Sequence, residues 1–373
     1  MNIYRSFAAV VMALLFPCAQ ALELQLKDSD FGPNHMGFAA DGARACLASD
    51  HFDPDAAQNG AELTVVDYQR NAVLWTKRIA APNGFASLRA KQCVFDGDNV
   101  YLLANANTRS QSTLNQTLVY VYRFDVQGKE LGHKELSLPG RNRYGYAIGA
   151  SPFGVVVAGY SKDEDGDAEY NSTFTVSLDK KLGVGTVSLR KTGAFASSAA
   201  ARFVGDQLYI AGEFVPAKLN KQDYAIDYAQ SRILSNGGYA WSVRPFKQEY
   251  RSVEAVVSPR GLIYSLSSKG STSTLAVTSA EGKQLSLTSF DGKFCRTQSI
   301  SEYGNGVIAV REPCSGQGKT AALLSIAPAD GKEVVQHLVS GEPVFVATHN
   351  EQWFIVAKDG TNRFFLHSGA IKE

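Results

Sequence analysis

Short runs of apolar residues, many alternating with polar ones, fill this chain, and clusters of Gly, Asn, Asp and Ser break them. No segment sustains a helical period, so the pattern predicts strands throughout. One motif recurs at roughly fifty-residue intervals: an apolar strand, a turn built on Asp, Asn or Gly, then a second apolar strand. It reads TVVDYQRNAVLW at Thr64–Trp75, YRFDVQGKEL at Tyr122–Leu131, VSLDKKLGVG at Val176–Gly185, ILSNGGYAW at Ile233–Trp241, VTSAEGKQL at Val277–Leu285 and SIAPADGKEV at Ser325–Val334. A repeat of that length predicts stacked four-stranded units, with strands A to D running outward from a common axis.

Aligned on the motif, the units span 32–80, 84–138, 141–189, 194–245, 249–290 and 292–339. A last stretch, 342–373, shows strand signals only at PVFVATH, WFIVAKD and RFFLHSG and lacks an outermost strand. LELQLK at Leu22–Lys27 is a strand without a unit. The expected fold is therefore an all-β, seven-bladed β-propeller over 22–373, with the N-terminal strand completing the last blade and covering its open edge.

Residues 1–21 read as a secretory signal peptide: Arg5, an apolar core over Phe7–Phe16, and a small-x-small cleavage site at Ala19-Gln20-Ala21. The expected setting is the periplasm or the exterior. The signal holds one charged residue, Arg5, of the chain's 37 basic and 36 acidic side chains, so its removal leaves equal numbers of each. That balance argues against a nucleic-acid partner, which needs a basic face, and against electrostatic adhesion to a membrane.

Cys46, Cys93, Cys295 and Cys314 remain after the signal, an even set that suggests two disulfides in an oxidising compartment. The blade register chooses among the three pairings. Cys295 and Cys314 fall at adjoining ends of strands A and B in the sixth blade. Cys46 and Cys93 fall toward one face on neighbouring blades. The expected bridges are Cys46–Cys93 and Cys295–Cys314.

Turns between strands A and B are short in every unit, whereas the B–C connections are long in the first four: Ser49–Ala61, Asn105–Gln116, Ser161–Asn171 and Glu213–Tyr228. These B–C connections and the D–A loops share one face, and loops on a rigid scaffold are where binding residues concentrate. Candidate contacts there are Arg143, Tyr144, Tyr250 and Arg251 near the axial mouth, and His51 and Asp53 on the first blade. His51 and Asp53, with His35 and Asp55, also suit a mixed nitrogen and oxygen metal site. Asp163, Asp165, Asp167 and Glu169 alternate around Gly166, a spacing that can wrap oxygen ligands around calcium, the one cofactor the sequence suggests. No G-x-S-x-G, H-x-x-x-H or P-loop pattern occurs.

The C–D turns resemble the PQQ-like repeat family, whose blades carry an Asp-x-x-x-Gly-x-x-x-Trp-like signature. Asp67 to Trp75 keeps the spacing with Asn71 in place of glycine; Asn236-Gly237 with Trp241 is a looser copy; Asp125–Lys129 and Asp330-Gly331-Lys332 keep the turn alone. The resemblance implies a propeller and covers quinoprotein dehydrogenases and BamB-like envelope scaffolds. The dehydrogenase half implies regular tryptophans and an adjacent cysteine pair, which this chain lacks. The expected function is a non-catalytic, monomeric propeller that binds a protein or peptide partner through its B–C/D–A face, as an envelope scaffold or an immunity-type inhibitor. The alternative is an enzyme acting on a sugar or small metabolite at the axial mouth, drawing on Arg143, Tyr144, Glu249 and Arg251.

Overall fold

A computed structural model describes residues 22–26, 37–53, 58–108, 117–220, 227–246, 253–314, 320–361 and 363–371. The expected signal peptide, 1–21, and the candidates His35, Asp55, Glu249, Tyr250 and Arg251 lie outside them.

Strand β1 (Leu22–Leu26) comes first. A meander follows of β2 (Gly37–Asp41), β3 (Arg44–Asp53), β4 (Gln58–Asp67) and β5 (Ala72–Ile79). The next is β6 (Phe85–Asp96), β7 (Asn99–Thr108), β8 (Thr117–Asp125) and β9 (Glu130–Glu135). Then come β10 (Asn142–Ser151), β11 (Gly154–Asp165), β12 (Ala168–Asp179) and β13 (Val184–Arg190). The fourth set is β14 (Ala194–Val204), β15 (Gln207–Val215), the short β16 (Lys218–Asn220), β17 (Asp227–Ile233) and β18 (Tyr239–Val243). Next are β19 (Val253–Val257), β20 (Ile263–Lys269), β21 (Thr272–Thr278) and β22 (Gln284–Asp291), followed by β23 (Phe294–Tyr303), β24 (Gly306–Pro313), β25 (Ala322–Ile326) and β26 (Glu333–Leu338). Last are β27 (Glu342–His349), β28 (Gln352–Lys358) and β29 (Phe364–Ala370).

Each set is an antiparallel four-stranded sheet, and the last is completed by β1, giving the order β1-β29-β28-β27. Leu24 stands opposite Leu366, as the orphan N-terminal strand led one to expect. The first three sets join into one thirteen-stranded sheet through single parallel bridges, Asn59 to Ser87 and Thr117 to Asn142, with β16 added to β12.

Burial explains the sequence pattern. The middle strands of a meander are sandwiched on both faces by neighbouring sheets, so β7 is buried almost continuously from Val100 to Ala106. The outermost strands meet water on one side, so β22 alternates between half-buried and exposed positions. The first and last meanders meet through Leu47, Val66 and Tyr68 against Leu26, Phe354 and Val356.

The repeated C–D turn has a packing role. Trp75 Nε1 donates to the Val126 carbonyl of the next meander's turn at 2.8 Å, and Trp241 Nε1 donates to Ala280 O at 2.9 Å. Beneath each indole lies a left-handed glycine, Gly128 (φ 81°) and Gly282 (φ 83°). A Cβ there would come within 2.7 Å of the ring, so both conformation and close approach require glycine. Arg190 Nε donates to Asn236 O at 3.0 Å in the same role. Both expected disulfides form. Cys46–Cys93 joins β3 to β6 of the next meander, and Cys295–Cys314 staples the β23–β24 pair. Two such bonds fit an oxidising compartment. Among the described residues no helix is long and apolar enough to cross a membrane.

Candidate functional site

The B–C end of the molecule is built from longer strands than the sequence suggested. The stretch Ser161–Asn171, expected as a loop, is a ladder that runs unbroken to the pair Asp165–Ala168 and closes through Gly166 (φ 57°) and Asp167. Ser49–Ala61 is likewise ladder as far as Asp53–Gln58, with 54–57 outside the described residues. Their tips have no apolar face to bury, so their polar composition hides their extended backbone.

Two meanders share this crown. Residues Lys218–Asn220 leave the β15–β17 connection and pair with Ala168–Tyr170 of β12. Asn171 clamps the junction, its backbone N–H donating to Ala217 O at 2.8 Å and its amide to Pro216 O at 3.0 Å. The ammonium groups of Lys191 and Lys218 stand 5.3 and 5.6 Å from the centre of the Tyr170 ring.

The carboxylates expected to hold calcium do not converge. Asp163 and Asp165 lie on one face of β11, and Glu169 lies on the other, directly opposite Glu164. Lys162 Nζ occupies that second face, 2.7 Å from Glu169 and 3.9 Å from Glu164. Asp167 sits in the turn between. Among the described residues no group of three or more His, Cys, Asp or Glu side chains is placed to hold a metal ion.

Arg143 and Tyr144 make local contacts. Arg143 Nε donates to Gly140 O at 3.1 Å and its Nη1 to Leu136 O at 3.4 Å, tying down the loop that leads into β10. Burial lowers the guanidinium pKa, and the Glu135 charge opposes that shift. The Tyr144 ring stacks on Tyr160 across the β10–β11 pair, with centroids 5.0 Å apart. His51 stands opposite Gly60 on β3, and Asp53 ends that strand.

The cavity lies elsewhere. A channel of about 720 Å³ is lined by β2, β6, β10, β14, β19, β23 and β27, one inner strand from each meander. Its walls include Gly97 and Gly205 of the A–B turns, so it extends to the face opposite the crown. Small residues such as Ala39, Gly149, Ala199 and Ala347 keep it open.

Five inner strands bulge at one level of this channel. The extra residues are Lys91, Tyr146, Ala199, Gln298 and Val344. Each lies five residues before the last paired residue of its strand: Asp96, Ser151, Val204, Tyr303 and His349. A bulge re-aims side chains and sharpens the local twist, so a ring of them shapes the channel wall. Gln92, next to one bulge, sews three strands together: its Oε1 accepts from Ile148 N at 2.8 Å and its Nε2 donates to Ala201 O at 3.3 Å.

Charge in the channel is uneven. Lys91 and Arg202 project from its wall, and Asp41 is its one carboxylate among the described residues. Asp41 is held by Arg44 at 2.7 Å. Burial lowers the Lys91 pKa, partly offset by the Asp50 charge. Arg202 is open to the water of the channel but walled round by protein, which lowers its pKa against the pull of Glu302. Burial raises the Glu302 carboxyl, countered by Arg260 at 3.4 Å and by the charge of Arg202. His349 at the same end is held below its usual pKa by burial. Higher on β19, burial pushes Glu254 up to about 7. Lys91 and Arg202 were legible as charges inside inner-strand sequences, but the bulge that aims Lys91 leaves no sequence mark.

No protein-family model matches the chain, and no curated protein matches it. Solved structures do. The polysaccharide lyase Uly1 aligns over 92% of this chain and 91% of its own, with a TM-score of 0.55 at 7% identity. Sqt1 of Saccharomyces cerevisiae aligns over 90% and 82%, with a TM-score of 0.50 at 12% identity. The β-propeller domain of the Trilobed protease from Pyrococcus furiosus aligns over 92% and 97%, with a TM-score of 0.49 at 9% identity. At such identities the likeness speaks to the fold alone, and that fold is a β-propeller.

Proposed function

We propose that this chain is an exported, monomeric, seven-bladed propeller that binds a protein or peptide partner on its crown, as an envelope scaffold or an immunity-type inhibitor. One observation carries the reading. Among the described residues the crown ladders run to Asp53–Gln58 on the first blade and to Asp165–Ala168 on the third, and the β16–β12 pairing locks the third to the fourth, while the opposite face is trimmed mostly to two-residue turns. A broad, rigid, uneven rim suits a macromolecular surface better than a small molecule. The two disulfides support export. The docking of Trp75 and Trp241 on glycine turns supports kinship with PQQ-like repeats. The alternative, an enzyme acting on a sugar or small metabolite at the axial mouth, would have Asp41 and His349 of the described channel lining to draw on, with Asp41 already paired to Arg44.

The test is affinity capture of envelope proteins by the purified chain and by two trimmed forms. One replaces 163–169 with a tight turn, and the other shortens 216–226. A partner retained by the parent should be lost by both trimmed forms and kept by Phe153→Ser, a change at an exposed turn on the opposite face. Identical capture by parent and trimmed forms would refute crown binding.

A further inference from the structure

The channel is separate from the crown site and has its own chemistry. Its two wall cations, Lys91 and Arg202, make no hydrogen bond and no ion pair among the described residues. The carboxylates facing them are already engaged. Asp50, which faces Lys91, accepts from Ala90 N at 3.0 Å, and Glu302, which faces Arg202, takes the Arg260 guanidinium at 3.4 Å. Arg89 near Lys91 and His349 near Arg202 add no negative charge.

Their placement is fixed rather than incidental. Lys91 is the extra residue of the β6 bulge and the only charged residue in the five-membered bulge ring. Lys91 adjoins Gln92 and Arg202 adjoins Ala201, so the two cations flank the Gln92–Ala201 hydrogen bond that sews β6 to β14. Counted from the strand ends, they stand two to three pairs apart, roughly 7–10 Å along the strand direction at ~3.3 Å per residue. That is within the joint reach of two long side chains on a single ligand. The described lining sets two unpaired cations against one carboxylate, Asp41, which Arg44 already neutralises, so the net field favours an incoming anion, and the cavity falls within the ~300–1,000 Å³ typical of small-molecule sites.

We propose that the axial channel is a binding site for a small organic oxyanion, a carboxylate or a phosphate, that enters from the A–B face and is held between Lys91 and Arg202. Arg202 supplies a planar fork that matches either oxyanion, and Lys91 supplies a point charge deeper in. Ser198 lines the wall between them.

The test is calorimetric titration of the intact protein with succinate and, separately, with inorganic phosphate, at constant ionic strength to hold screening fixed. At least one probe should bind saturably, and which one does tells carboxylate from phosphate. Lys91→Gln and Arg202→Gln should each weaken that binding about tenfold or more, and the double variant should abolish it. Lys218→Gln on the crown should leave it unchanged. The unliganded double variant should melt at or above the parent temperature, because unpaired cations in a walled site oppose folding. No saturable binding of either probe up to about 10 mM, or unchanged affinity in the double variant, overturns the proposal. A double variant that melts well below the parent also overturns it, since the cations would then be holding the fold.

Discussion

The meanders from β2 to β13 and those from β19 to β29 repeat the same unit but are joined to their neighbours differently. In the first group the main chain itself crosses between sheets, at Asn59–Ser87 and Thr117–Asn142, and Cys46–Cys93 adds a covalent tie. In the second group the sheets are separate and side chains do the joining. Arg311, fully buried, reaches Ser273 of the preceding sheet at 2.5 Å and pairs with Glu333; Thr288 donates to Pro328 O at 2.6 Å; Ser301 and Thr348 meet at 2.9 Å. The difference follows hairpin length. Both main-chain bridges sit at crown ends, where extended strands run past the core and meet their neighbours. The long hairpins therefore brace the scaffold as well as shape a surface, and the two roles can be separated by experiment.

The largest expected effect breaks the covalent part of the contrast. In the loop-closure picture, Cys46→Ala with Cys93→Ala, which opens a 47-residue separation, should cost about 4 kcal/mol in urea unfolding, and Cys295→Ala with Cys314→Ala, across 19 residues, about 3 kcal/mol. Equal losses, or a larger loss from the second pair, would show that the first group does not depend on its tie. In the second group, Arg311→Ala should cost about 3 kcal/mol by leaving Glu333 and Ser273 without their partner, whereas Arg311→Met should recover much of it. A Met variant as unstable as the Ala variant would mean that the charge, not the filled volume, joins these sheets.

Acid–base behaviour should also divide the groups. Glu254, on β19, has a folded pKa of about 7, above its ordinary value of 4.5. A raised carboxyl binds more protons in the folded state, so its contribution to stability falls as pH rises from the unfolded value through the folded one. Glu254→Gln should therefore add on the order of 2 kcal/mol at pH 8 and almost nothing at pH 4. Stability curves of parent and variant that stay parallel from pH 4 to 8 would remove Glu254 as the source. The smallest effect is expected from replacing 163–169 by a tight turn. Because that hairpin tip lies beyond the core, unfolding free energy should change by no more than about 1 kcal/mol even if capture is lost.

The strands, the propeller, both disulfides and the strand that completes the last sheet were legible because each follows from burial or from register. Apolar runs such as Val100–Ala106 announce sandwiched strands, and a cysteine at a strand end has few neighbours to choose from. The crown was legible in position but not in form, since a ladder of polar residues shows no apolar alternation at Ser161–Asn171. Alternate acidic residues suggested convergence at Asp163–Glu169, but pairing places Glu169 on the face opposite Asp163 and Asp165. The channel was misplaced because Arg143 and Tyr144 look like binding residues by type, whereas their partners, Gly140, Leu136 and Tyr160, are local.

The pairing of Leu24 with Leu366 has a consequence in time. Strand β1 is made long before its partner β29, so a chain terminated between them can stack sheets but leaves the last one open. The long-range ladder works as a check on completeness: a truncated copy keeps a bare strand edge open to other chains or to proteolysis.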